Sequence, residues 1–184
     1  MKKLLYSTFS VLLLILMACP YEGEVELNTY EEAVKVDKKL IDKWVSFNDD
    51  GGRQELTISK LTRSVLQVYH MEFSKGNKLA SREGYRVYAS EVGEYDIFNI
   101  EKKDGKYLFS KYGWTGKNEF YVQFISEDYM EKNFKVDSVT TENLRDFMTE
   151  NVNIEAMYDE KLEFYRKHSP EYEKVRMYMR KSGF

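Results

Sequence analysis

The side chains of this 184-residue sequence with chemistry to offer are one thiol, two imidazoles and scattered carboxylates. Cys19 is the single cysteine, so no intrachain disulfide can form and the sulfur is left as a nucleophile. It closes a stretch made of Lys2-Lys3, an apolar run from Leu4 to Leu16, and Leu16-Met17-Ala18-Cys19. His70 and His168 have neither a His-x-x-x-His spacing nor a cysteine ligand beside them, so no zinc-type site is read and no metal is assigned. Asp49-Asp50-Gly51-Gly52 lacks the twelve-residue ligand spacing of an EF-hand and reads as a turn. Serines occur without a Gly-x-Ser-x-Gly elbow, and there is no Gly-rich phosphate loop. Carboxylate neighbours such as Glu91 and Glu94, or Asp159 and Glu160, keep a two-carboxylate hydrolase open as an alternative. No catalytic residue and no cofactor is assigned.

The N-terminal stretch resembles a bacterial lipoprotein signal with its lipobox. The apolar run suits a secretory h-region and falls short of the roughly 20 residues that span a bilayer. Lipobox chemistry needs a thiol acceptor, a small residue just before it and an apolar residue at the third position before it, which Cys19, Ala18 and Leu16 supply. The resemblance implies that residues 1–18 are a cleaved signal peptide and that the mature chain begins at a lipidated Cys19. Its acyl chains would then make membrane lipid the first partner, two or more of them holding the chain stably. Pro20 stands where an inner-membrane-retention aspartate would, which favours the outer membrane of the cell envelope. The run Glu22, Glu24, Glu26 resembles the export signal of Bacteroidetes surface lipoproteins, and equally suits a solvated tether.

Removal of residues 1–18 takes away two lysines and moves the formal charge from −3 to −5. That balance supplies no basic stripe for phosphates, so nucleic acid is not an expected partner. About 165 residues remain, enough for one domain with a real core. The 15 tyrosines and 11 phenylalanines suit half-buried sheet faces.

The elements that must position these residues are mostly strands. Residues 19–39 read as tether and short helix, with Thr29 and Glu32 in a capping-box spacing ahead of Ala33 and Val36. From Leu40 short β-rich runs alternate with turns, predicting strands near 40–47, 54–61, 64–73, 84–91, 95–102, 106–112 and 119–126. Turns at Asn48–Gly52, Lys75-Gly76-Asn77, Lys103–Lys106 and Thr115–Asn118 make neighbours antiparallel. In the 64–73 run the parity of Val65, Tyr69, Met71 and Phe73 is read as a buried face. Apolar residues on the opposite parities, Tyr88 and Ile125 among them, call for a second covering layer. The C-terminal third predicts that cover as helices over 128–134, 141–151 and 155–167. A last helix follows, capped by Ser169 with Pro170 at its first position. Its apolar stripe with cationic flanks packs on the barrel or, alternatively, faces a bilayer or binds a partner.

A tryptophan in the first strand, a seven-strand antiparallel meander and a C-terminal helix resemble lipocalin-like barrels. Here Trp44 is kept, with Asp42 where lipocalins have the glycine of Gly-x-Trp. Lys106–Phe109, Glu119–Phe124 and Ser138–Phe147 are similar to a group of Bacteroidetes-type envelope lipoproteins whose barrel ends in such a helix. The fold expected is therefore mainly β, an antiparallel lipocalin-like meander barrel over residues 40–184 with C-terminal helices packed against it. Trp44, Tyr69, Tyr88, Phe98, Phe109, Phe120 and Phe124 are the aromatic residues expected to line a cavity or to fill a closed core. The functional expectation is a non-enzymatic envelope lipoprotein that binds a small apolar ligand or an envelope protein, with an inhibitor or immunity-like protein as a further alternative.

Overall fold

The computed structural model describes residues 19–183; the signal-peptide reading of residues 1–18 lies outside them. Nine strands form in chain order: β1 (Glu22–Gly23), β2 (Lys43–Phe47), β3 (Arg53–Lys60), β4 (Val65–Phe73), β5 (Leu79–Val92), β6 (Tyr95–Glu101), β7 (Tyr107–Gly116), β8 (Glu119–Phe124) and β9 (Leu162–Arg166). Strands β2 to β8 run as an antiparallel meander, and β9 slots between β8 and β2, closing an eight-stranded lipocalin-like barrel. Closure removes the open edges that a seven-strand sheet would present. Strand β1 pairs with β7 beyond the end of β8.

Hairpin chemistry sets the register. In the β6–β7 turn Gly105 takes φ +84, a conformation closed to most L-residues, and donates its N–H to the Lys102 carbonyl. Because the strands meander, the β2–β3, β4–β5 and β6–β7 turns lie at one end of the barrel and the β3–β4, β5–β6 and β7–β8 turns at the other.

Two apolar cores result. The inner one collects Leu40, Trp44, Ile58, Leu66, Val68, Val87, Phe98, Phe120, Val122 and Phe164. The outer one joins Val92, Ile97, Phe109 and Ile125 of the barrel wall to Leu27 and to Met130, Leu144, Met148 and Met157 of the C-terminal third. It is built by α1 (Glu127–Asn133), α2 (Thr141–Asn151) and a 3-10 turn over Glu155–Met157. Thr140 caps α2 reciprocally with Asn143. Helix α3 (Pro170–Lys181) starts at the Ser169 cap and sets Tyr172 against Phe47, while Met177 and Tyr178 stay exposed. No helix among the described residues is long and apolar enough to cross a membrane.

Three expectations are corrected. Residues 155–167 are not a helix: Leu162 and Phe164 alternate into the lumen as β9, because β8 and β2 both need a partner. Residues 29–39 form no α-helix, only a 3-10 turn at Lys38–Leu40. The backbone N–H groups of Val34 and Val36 donate to the carbonyls of Ala89 and Arg63 in the barrel instead of to carbonyls one turn back in their own segment. Residues 20–28 are not a tether. Pro20 bridges Ser126, β1 joins the sheet, and Leu27 is fully buried.

Candidate functional site

The barrel lumen is filled at one end and hollow toward the other. At the filled end Trp44 packs edge-on against Phe120 at 4.7 Å, Phe120 stacks on Phe164 at 5.3 Å, and Phe98 lies flat on Tyr112 at 4.2 Å. The Trp44 indole N–H donates to the Leu40 carbonyl at 2.8 Å, tying the plug residue Leu40 into place. Above this floor lies a cavity of about 220 Å³.

Its wall grades from closed to open. Leu40, Ile58, Leu66, Val68, Val87, Phe98, Phe120, Val122 and Phe164 are buried, while Gln54, Leu56, His70, Tyr85, Ile100, Leu108, Phe124 and Leu162 are half-buried. The half-buried set sits at the end that carries the β2–β3, β4–β5 and β6–β7 turns, so the mouth is there. The volume falls below the roughly 300–1,000 Å³ of sites for drug-sized ligands, so the space suits a slender apolar molecule.

Polar groups are few and placed at defined depths. His70 and Gln54 face each other across β3 and β4 at 3.2 Å at the mouth. Burial pushes the His70 imidazole below its ordinary value of 6.5, against the opposing pull of Glu72 and Glu83, so it is neutral at pH 7. Deep in the wall the Ser110 hydroxyl is buried and has no hydrogen-bond partner among the described residues. An occupant with a polar atom would supply one.

Of the seven aromatic residues expected at the site, Phe98, Phe120 and Phe124 line the cavity and Trp44 backs its floor. Phe109 is buried, but in the outer core. Tyr88 is buried under the N-terminal segment, where its hydroxyl donates to Glu26 at 2.6 Å and its ring meets Tyr30 edge-on. Burial first, and that carboxylate second, push the phenol far up. Tyr69 is the outlier: it is 41 % exposed on the outer surface, over Gly84 and beside Arg82. In β4 the interior belongs to Leu66, Val68 and His70, the opposite parity from the one expected. Leu56, Ile100, Leu108 and Leu162 also line it and were missed because they are aliphatic, and Tyr85 and Phe164 were missed although aromatic; strand parity is the signal that finds them.

Cys19 is exposed, and its carbonyl accepts from the Glu127 N–H at 3.1 Å. Two of the glutamates that follow it are committed to the barrel: Glu22 pairs with Lys102 and Lys106, and Glu26 accepts from Tyr88 and Tyr107. Gly23 is required in β1 because a Cβ there would stand 2.8 Å from the Phe109 ring. A buried set of Asn28, Ser90 and Asn99 then ties the segment down, with the Leu27 N–H donating to Asn99 Oδ1 at 2.9 Å.

Carboxylates gather at the other end of the barrel, where Asp37, Glu91, Glu94 and Asp96 border a groove with Tyr95, Tyr112 and Trp114. Burial and the neighbouring Glu91 push Asp96 up, and Tyr112 hydrogen-bonds to it. Asp159 is likewise pushed up by burial and lies elsewhere, its N–H on the Phe124 carbonyl. Among the described residues no three His, Cys, Asp or Glu side chains are grouped to hold a metal ion. Comparison of the chain with protein-family models, with curated proteins and with solved structures finds no match.

Proposed function

We propose that the chain is an envelope lipoprotein, lipidated on Cys19, whose barrel holds one slender apolar molecule such as an acyl chain. The observation that carries the reading is the one-ended cavity, apolar along its length, with a single unpartnered hydroxyl deep in its wall. Apolar surface lining a preformed space gains about 25 cal/mol per Å² when an apolar occupant displaces water from it. Binding in such a site needs no moving part, and the outer core holds the wall rigid from behind. The leader, read as a lipobox, supports an address outside the cytoplasm. The test is titration with a fluorescent fatty acid at micromolar concentration. Uptake saturates at one equivalent, and Val68→Phe, which fills the lumen, weakens it about tenfold or more. Linear, unsaturable uptake, or uptake indifferent to Val68→Phe, would sink the reading.

A further inference from the structure

We propose that the occupant of the cavity is an aliphatic chain bearing an uncharged oxygen partway along its length, as a keto, ester or hydroxyl group, and that Ser110 selects it by hydrogen-bonding that oxygen. The inference rests on the reading of the cavity as an apolar-ligand site and adds which class of chain it takes.

Ser110 stands on the luminal face of β7. Its register partners are Phe98 in β6 and Phe124 in β8, both of which line the cavity. Leu108, two residues before it, lies at the mouth, and Tyr112, two residues after it, stacks on Phe98 at the floor. At about 3.3 Å per residue, Ser110 sits about 7 Å along the strand from the mouth. An oxygen that meets it therefore belongs within the chain rather than at its outer end.

The hydroxyl is free to take a ligand. Of the three buried polar side-chain atoms without a partner among the described residues, Gln123 Oε1 and Arg166 Nε belong to side chains that bond through their other atoms. Serine has a single polar side-chain atom, so the Ser110 side chain is wholly unpaired. The other polar lining groups are engaged: His70 meets Gln54 at 3.2 Å, and the Tyr85 hydroxyl donates to Glu83. Behind the wall the buried Asn28, Ser90 and Asn99 bond one another. Alanine at 110 would leave the lumen as open without the cost of an unpaired buried hydroxyl, so small size alone does not account for the serine.

The lining also limits the kind of oxygen. None of the residues around the cavity is Asp, Glu, Lys or Arg, so an ionised group drawn inside would meet no counter-charge. An uncharged oxygen meets no such penalty: a carbonyl or ester oxygen accepts from the Ser110 hydroxyl, and an alcohol can accept from it or donate to it.

The test uses the full chain and two probes of one shape: dibutyl ketone with a carbon-13 carbonyl, and its hydrocarbon isostere with C=CH2 in place of C=O. Each displaces the fluorescent fatty acid from the lumen, and isotope-edited infrared spectra record the bound ketone. Ser110→Ala is expected to weaken the ketone about fivefold relative to the isostere, the worth of one hydrogen bond. The carbonyl band of the bound ketone is expected below its position in alkane solvent, and to return to that position in Ser110→Ala. If circular dichroism shows that Ser110→Ala is misfolded, Ser110→Cys, close in size and a weak donor, makes the same comparison with the same outcomes. Equal effects on both probes, a band in the native chain at its alkane position, or a lowered band that persists without the hydroxyl would each overturn the role of Ser110 while leaving the cavity reading intact. Failure of both probes to displace the fatty acid and to bind the native chain would overturn the cavity reading and this inference with it.

Discussion

His70 joins the cavity to solution pH. Its ring lies at the mouth beside Gln54, and burial holds it below 6.5 in the folded chain. A depressed imidazole contributes stability that is complete above 6.5 and is lost as pH falls toward the folded value, because the unfolded chain then takes up a proton that the barrel resists. Urea midpoints measured at pH 7.5 and 5.5 should therefore fall further for the native chain than for His70→Gln, and equal falls would contradict the burial of a neutral ring. At this scale the sequence was partly legible. Trp44, Phe98, Phe120 and Phe124 could be picked out because large aromatic residues in strands face a core. Tyr69 was misassigned because β4 is apolar or aromatic on both parities, and only the register with β3 and β5 decides which face turns inward.

Among the elements, the N-terminal segment changes the account most. Its glutamates at 22, 24 and 26 read as a solvated tether, yet they alternate with Tyr21, Gly23, Val25 and Leu27, and the segment is a structural strap. The partners that hold it, Lys102, Tyr88, Tyr107, Ser90 and Asn99, are 62 to 81 residues away, and local patterns carry no signal of them. The same holds for β9, whose two luminal residues give too short an alternation to outvote a helical reading, although an open barrel edge beside β8 demands a strand. The meander itself was legible, since Asp-Gly and Gly-Asn turns punctuate it. The strap is testable by Leu27→Ala, which empties a fully buried position between the barrel wall and α2. A loss of about 2–5 kcal/mol in urea denaturation is expected. A loss below about 0.5 kcal/mol would show that the segment is a tether after all.

Seen as a whole molecule, the chain places its two cores back to back. The outer core stiffens the β5–β8 wall with α1 and α2, leaving the inner core free to stay incomplete. A lumen that has stayed unfilled beside well-stacked Trp44, Phe120 and Phe164 is an exception to the close packing of protein interiors, and the proposed binding would give it a reason. Native mass spectrometry of the full chain, purified from the cells that make it, tests the proposed binding most directly. The account predicts one bound molecule of lipid-chain mass per protein, beyond any group on Cys19, and its absence from Val68→Phe. A chain that carries no adduct when native, or the same adduct in both forms, would contradict it.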